Sequence, residues 1–262
     1  MAADLVLAEA CLGCGHPRGP LCPGCAGPLR GEAHPTRPTP CPAGFPPTWT
    51  VTGYCGPARS AIVAHKEHGR RGLLPLLAGA AARSVLAARV APPQGWAAGR
   101  VLLVPVPATP GSRRVRGADP LGEIATRVAG RTGLTVCQPL RHVRRVADQS
   151  GLDSAGRAAN LRTALAADPR LVAGAAVLLL DDIVTTGATL TEAARALLAA
   201  GASGVRAAVI AATARRGSSG PQGRVGSGGA SIAHGMAGLG PPARHPGGGG
   251  RGDGLAQPAS GG

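Results

Sequence analysis

Aromatic side chains are almost missing from this 262-residue chain: Phe45, Trp49, Tyr54 and Trp96 are all it has. Proteins that hold single-stranded nucleic acid commonly stack bases on aromatic platforms, so a nucleic-acid contact here has to rest mostly on arginine. Lysine is scarcer still. Lys66 is the single lysine among 28 basic residues, a bias that a GC-rich coding sequence produces by favouring arginine codons. Codon bias leaves a second shortage unexplained: Asp and Glu together number only 13, so the formal net charge is +15. Residues 217–262 hold three arginines and one aspartate, a net of +2, which leaves +13 on residues 1–216. Such a surplus suits phosphates, nucleotides or nucleic acid as partners. Long apolar runs are lacking too, none approaching the roughly 18 residues that span a bilayer. The opening, Met1 to Ala10, has neither the basic start nor the apolar length of a secretory signal. A cytoplasmic protein without membrane insertion is the expectation.

Composition divides the chain into three. Residues 1–48 are rich in Cys, Pro and Gly and carry no helical or strand period, so a metal or other cross-link has to order them. Residues 49–216 alternate helical and strand patterns. Residues 217–262 are dominated by Gly, Ser and Pro, with nothing able to bury a core, which predicts a disordered tail. In the middle region, helices are expected over 58–64, 73–90, 120–129, 153–165 and 190–200. Strands are expected over 101–106, 176–180 and 205–211. Strands alternating with helices of this length argue for an α/β fold, a parallel sheet with helices on both faces. Ligands of such sheets bind at the carboxyl ends of the strands.

The most informative stretch lies at such an end. Val177 to Leu180 reads as a buried strand, Asp181 and Asp182 follow it, and Thr185, Thr186, Gly187, Ala188 and Thr189 make a small-residue turn into an alanine-rich helix. Backbone N–H groups and hydroxyls in such a turn can converge on one phosphate, and the helix N-terminus adds partial positive charge. The two carboxylates stand one step upstream, where a sugar on that phosphate presents its hydroxyls. A Thr-capped strand-to-helix turn would account for Thr189 but not for the adjacent acids. The stretch resembles the 5-phosphoribosyl-1-pyrophosphate (PRPP) loop of type I phosphoribosyltransferases.

Two further segments could meet a polyphosphate. The strand ending in Pro105, Val106 and Pro107 is followed by Arg113, Arg114, Arg116 and Gly117. Residues 140–152, with Arg157 and Asn160 downstream, mix basic and amide groups as a lid over a charged ligand would. Each also reads as an ordinary basic surface loop. Taken in order, Pro105-Val106-Pro107, Arg116-Gly117, Arg141, Gln149, Arg157, Asn160 and 181–189 resemble the ComF family (ComF/GntX-like proteins), over roughly residues 11–214. The resemblance implies a type I phosphoribosyltransferase-like domain and a link to DNA uptake in natural competence. It implies that Asp181 and Asp182 hold the ribose hydroxyls and Thr185 to Thr189 the 5′-phosphate. By the same resemblance the turn after Val104, with Pro105, Val106 and Arg116, would face the pyrophosphate. Where many relatives have an aromatic residue and Asn after Arg-Gly, this chain has Ala118-Asp119.

Glycosyl transfer from Mg²⁺-PRPP is the activity implied. Nucleobase salvage, and a non-catalytic module that senses PRPP or a nucleotide and binds single-stranded DNA or a competence helicase, are the rival readings. No aromatic follows Trp96 to stack a base, which speaks against salvage.

The Cys-x-x-Cys pairs Cys11/Cys14 and Cys22/Cys25 supply four thiolates that can close a tetrahedral structural Zn²⁺ site. The ComF resemblance implies the same element. A disulfide pair is the competing reading, with His16 and Cys41 as alternative ligands. Cys55 and Cys137 read as small apolar residues. His65 to Arg71 reads as a solvated helix end, with a phosphate or nucleic-acid contact as the alternative.

Overall fold

The computed structural model describes residues 9–91, 96, 99–108, 119–143 and 164–213. Arg113, Arg114, Arg116, Gly117, residues 144–163 with Gln149, Arg157 and Asn160, and the tail from 214 lie outside the described residues.

Three strands of almost unbroken Val, Leu and Ala form the middle of the sheet: β4 (Val101–Pro105), β8 (Ala176–Val184) and β9 (Gly204–Ala212). Near-continuous apolar composition marks strands covered on both faces. β4 pairs in parallel with β8, and β8 with β9. β5 (Thr135–Val136) adds to the far side of β4 in parallel. β2 (Thr48–Thr50) and β3 (Thr52–Gly53) flank β9 in parallel, and β1 (His34–Thr36) closes the edge antiparallel to β2. The Cys-rich N-terminal region therefore contributes an edge strand, after a short helix α1 (Pro23–Ala26) and a 3₁₀ turn.

Helices cover both faces. On one, α2 (Gly56–His68), α3 (Leu74–Val90) and α4 (Pro120–Thr132) pack over Leu178, Leu180, Ala208 and Ile210. On the other, α6 (Ala188–Ala199) packs Leu190, Ala193 and Leu197 on Val177, Leu179 and Val209. The alternation of Leu178, Leu179 and Leu180 between the two cores is the period of two that a strand imposes. Contrary to the expectation that no apolar run approaches that length, residues 71–90 are apolar and long enough to cross a membrane. Leu77, Ala78, Ala81, Val85 and Ala88 of that helix are fully buried against the sheet, so its apolarity serves the core.

Several boundaries differ from the sequence expectation. α4 runs past Gly130 to Thr132, because Gly133, at φ +70°, supplies the left-handed residue that ends a helix. β8 continues four residues beyond Leu180 because β9 offers partners as far as Val184↔Ala212. An apolar-run criterion stops at the first carboxylate. The helix expected over 153–165 falls mostly outside the described residues. Its last residue instead opens β7 (Leu165–Ala167), which pairs antiparallel with β6 (Leu140–His142) as a separate ribbon. A short helix, α5 (Pro169–Val172), follows β7.

All four aromatics pack on the cores, and two of them also flank a buried arginine. The Arg206 guanidinium lies 4.4 Å from the Trp96 ring centre and 5.8 Å from that of Trp49, and donates to the Ala88 and Ala91 carbonyls at 2.8 and 2.7 Å. Burial lowers its pKa, and the two carbonyls at the end of α3 accept the hydrogens that water would otherwise take.

Candidate functional site

β4 leads through α4 to β5 on one side, while β8 and β9 lie on the other. The strand order thus reverses at β4, and a crevice opens between the carboxyl ends of β4 and β8, the place where open α/β sheets bind ligands. A cavity of about 350 Å³ occupies that position. Val106, Asp181, Asp182, Thr185 and Thr189 line it, together with Pro107, Ala108 and Asp119. Pro105 lies behind this lining, buried in β4 beside Leu180, and the Val106 N–H donates to the Leu180 carbonyl at 2.9 Å. Arg116 lies outside the described residues. Asp119 caps α4, its side chain accepting from the Gly122 N–H at 3.0 Å.

The adjacent carboxylates do not share one environment. Strand alternation sets Asp182 on the α2 side, where Lys66 Nζ meets its Oδ2 at 2.6 Å. Asp181 accepts the Asp182 backbone N–H at 2.9 Å. Burial, and next to it the neighbouring Asp182 charge, hold Asp181 well above the usual carboxylate range, with Lys66 pulling the other way. A ligand offering hydroxyl donors would suit this pair.

The reading of 65–71 as a solvated helix end holds for residues 67–71, which are exposed, but not for His65 and Lys66. α2 continues to His68, and its last turns bring Lys66 to Asp182 and bury His65 at 4 % exposure. A signal was present: one lysine survives in a chain that otherwise uses arginine, and here it is the compact point charge that faces the acids.

The turn after β8 is shaped from behind by its own backbone and by packing from afar. Gly187, at φ +78°, is the cap of α6; Thr186 Oγ1 accepts the Ala188 N–H at 3.4 Å, and the Thr191 N–H donates to the Gly187 carbonyl at 2.9 Å. A Cβ on Gly187 would stand 2.8 Å from Phe45 ring carbons and 2.9 Å from Pro38 Cγ. Thr186, Gly187 and Ala188 therefore shape the turn, while Thr185 and Thr189 line the cavity. The contact with Phe45, some 140 positions away in sequence, has no local signature.

At the N-terminus, Cys11, Cys14, Cys22 and Cys25 place their sulfurs within 4.8 Å of one another, and all seven cysteines are free thiols. Cys14 and Cys22 are 3.7 Å apart, close to the ~3.8 Å that tetrahedral ligands at a Zn–S distance of about 2.3 Å require. The Cys22 and Gly13 N–H groups point at Cys11 Sγ from 3.3 and 3.4 Å, and the first of these leads in lowering its pKa to about 6. Burial, then hydrogen bonds with the other three thiols, push Cys25 up to about 12. Four crowded thiols resist losing all their protons, and a divalent cation relieves that repulsion, so the donor set fits Zn²⁺. His16 and Cys41 stand outside the cluster. Of the two cysteines read as apolar filler, Cys137 packs partly against the α6-side core, whereas Cys55 is exposed. Purified protein is expected to hold about one equivalent of zinc, and Cys14→Ser to lose it and melt earlier. Reduced protein without zinc by elemental analysis would remove the metal from this site.

Residues 116–222 match the family model described as Phosphoribosyl transferase domain. With the mostly parallel sheet covered on both faces, this gives a phosphoribosyltransferase-like α/β fold. A solved structure described as the allosteric regulatory enzyme of purine biosynthesis is 23 % identical, with a TM-score of 0.30. The similarity covers 49 % of this chain and about a quarter of that one. No curated protein matches the chain.

Proposed function

We propose that this chain binds PRPP at the carboxyl ends of β4 and β8 and is a ComF-like phosphoribosyltransferase serving DNA uptake in natural competence. The observation that carries the reading is the placement of Asp181 and Asp182 beside Thr185 and Thr189 in one cavity at the reversal of strand order. The carboxylates accept the ribose hydroxyls and stabilise positive charge developing at the anomeric carbon. Thr185, Thr189 and the N-terminal N–H groups of α6 take the 5′-phosphate. Pro107 and Ala108, after β4, face the pyrophosphate side, and Arg116 is assigned to the same role from the sequence resemblance. Mg²⁺ bound with the diphosphate would neutralise the leaving group. Among the described residues no Phe, Tyr or Trp lines the cavity, which disfavours purine or pyrimidine salvage. Pyrophosphate release from PRPP and Mg²⁺, screened against nitrogen nucleophiles, separates turnover from binding alone.

The competence part of the proposal draws on the ComF resemblance and on the +13 charge of residues 1–216. Single-stranded DNA should bind with little sequence preference and lose affinity steeply between 50 and 200 mM salt, by about three hundredfold if six phosphates are contacted. An affinity that ignores salt, measured by fluorescence anisotropy, would contradict a basic-surface contact.

A further inference from the structure

Ala58, Ala61, Ile62 and His65 share the inward face of α2, at the spacing that packs a helix on a core. An aliphatic residue is the usual fourth member of such a stripe. Here the imidazole is 4 % exposed, lines the cavity, and has no hydrogen-bond partner for either Nδ1 or Nε2. Buried donors and acceptors left unpaired are costly and rare. Ile62, Leu77, Leu121, Ile124 and Ile210 complete the wall around it, from α2, α3, α4 and β9. Residues 181, 182, 185 and 189 are assigned above to the phosphoribosyl group, Lys66 meets Asp182 and Asp119 caps α4, so the imidazole and the aliphatic wall remain for something else.

We propose that this recess is the acceptor subsite, that His65 hydrogen-bonds the acceptor, and that the acceptor is an uncharged, flat nitrogen heterocycle with few polar edge groups. The inference rests on the PRPP reading above. Guanine or uracil would bury several carbonyl and N–H groups against aliphatic walls with one imidazole to pair them. Ammonia has no apolar body for the recess to hold, and a DNA phosphate would meet the carboxylates of Asp119, Asp181 and Asp182 in the same cavity, with Lys66 Nζ already at Asp182. For a benzimidazole-like acceptor, the unprotonated ring nitrogen forms a bond to C1 of the ribose. The C1–O bond to pyrophosphate breaks, its electron pair leaves with pyrophosphate, and the proton on the second ring nitrogen passes to an unprotonated nitrogen of the His65 ring.

Benzimidazole is the probe. In wild-type protein with Mg²⁺-PRPP it should raise pyrophosphate release about tenfold over the water background, the scale of one good hydrogen bond. Guanine, uracil, ammonium and a single-stranded oligonucleotide should not. His65→Leu should keep PRPP affinity within about twofold and melt no lower than wild type, since it removes two unpaired atoms. It should lose the benzimidazole response, and His65→Gln should restore part of it. Protein that binds PRPP yet answers equally to uracil or guanine, or to no heterocycle, overturns the proposal, as does His65→Leu responding like wild type. If wild type binds no PRPP, the failure belongs to the phosphoribosyl reading. The recess is then decided by benzimidazole alone, which should raise the melting temperature of wild type and not of His65→Leu; equal shifts in both overturn it.

Discussion

Gly187→Val should abolish measurable PRPP binding and lower the melting temperature by on the order of 10 °C. Two costs add. At φ +78° a β-branched residue is forced into the left-handed region, a penalty of about 1–2 kcal/mol. Its Cβ would also stand 2.8 Å from Phe45 and 2.9 Å from Pro38, overpacking worth about 1–3 kcal/mol. Both push on the turn that presents Thr185 and Thr189 to the cavity, so binding suffers beyond stability. The variant Gly187→Ala in a Phe45→Ala background relieves the clash with the ring while keeping the contact with Pro38 and the backbone penalty. It should recover part of the melting temperature, as scanning calorimetry would show. No recovery would mean that the ring does not brace the loop.

Asp181→Asn and Asp182→Asn should each weaken PRPP binding by about ten- to a hundredfold, since a charged hydrogen bond is worth roughly 1.5–3 kcal/mol. Their effects on stability should differ. Asp181 is held above the ordinary value of 3.8 by burial and by Asp182, so the folded chain binds that proton more tightly than the unfolded one. Above pH 3.8, stability therefore falls as pH rises toward the elevated pKa. Asp181→Asn removes that loss and should melt higher than wild type at neutral pH while binding PRPP less well. Asp182→Asn removes the carboxylate charge that Lys66 Nζ meets at 2.6 Å and should not gain in the same way. Thermal melts across pH check both, and an Asp181→Asn protein that melts lower at neutral pH would contradict the electrostatics.

The central strands and the acidic loop were legible because both are local. Runs such as Val177 to Leu180 and Val205 to Ala211 announce covered strands, and the Asp pair with its Thr-rich turn has few structural rivals. The other half of the site comes from afar. Lys66 and His65 arrive from α2, 116 residues before the acid that Lys66 meets. Phe45 comes from the segment that joins β1 to β2. Neither pairing has a spacing to read, although a lone lysine and a histidine on an apolar stripe were visible clues. The β6–β7 ribbon was missed because three-residue strands are too short for a period of two to stand out from a loop. β8 outran its apolar core because pairing with β9, and not composition, fixes where it ends.

Calorimetric titration of PRPP with Mg²⁺ into wild-type protein and into the double variant Asp181→Asn/Asp182→Asn addresses the central claim. Wild type should bind at a single site, and the double variant should lose on the order of a hundredfold or more in affinity while remaining folded by circular dichroism. A wild type that binds no phosphoribosyl ligand, or a double variant that binds as tightly as wild type, would falsify the assignment of the site at the ends of β4 and β8.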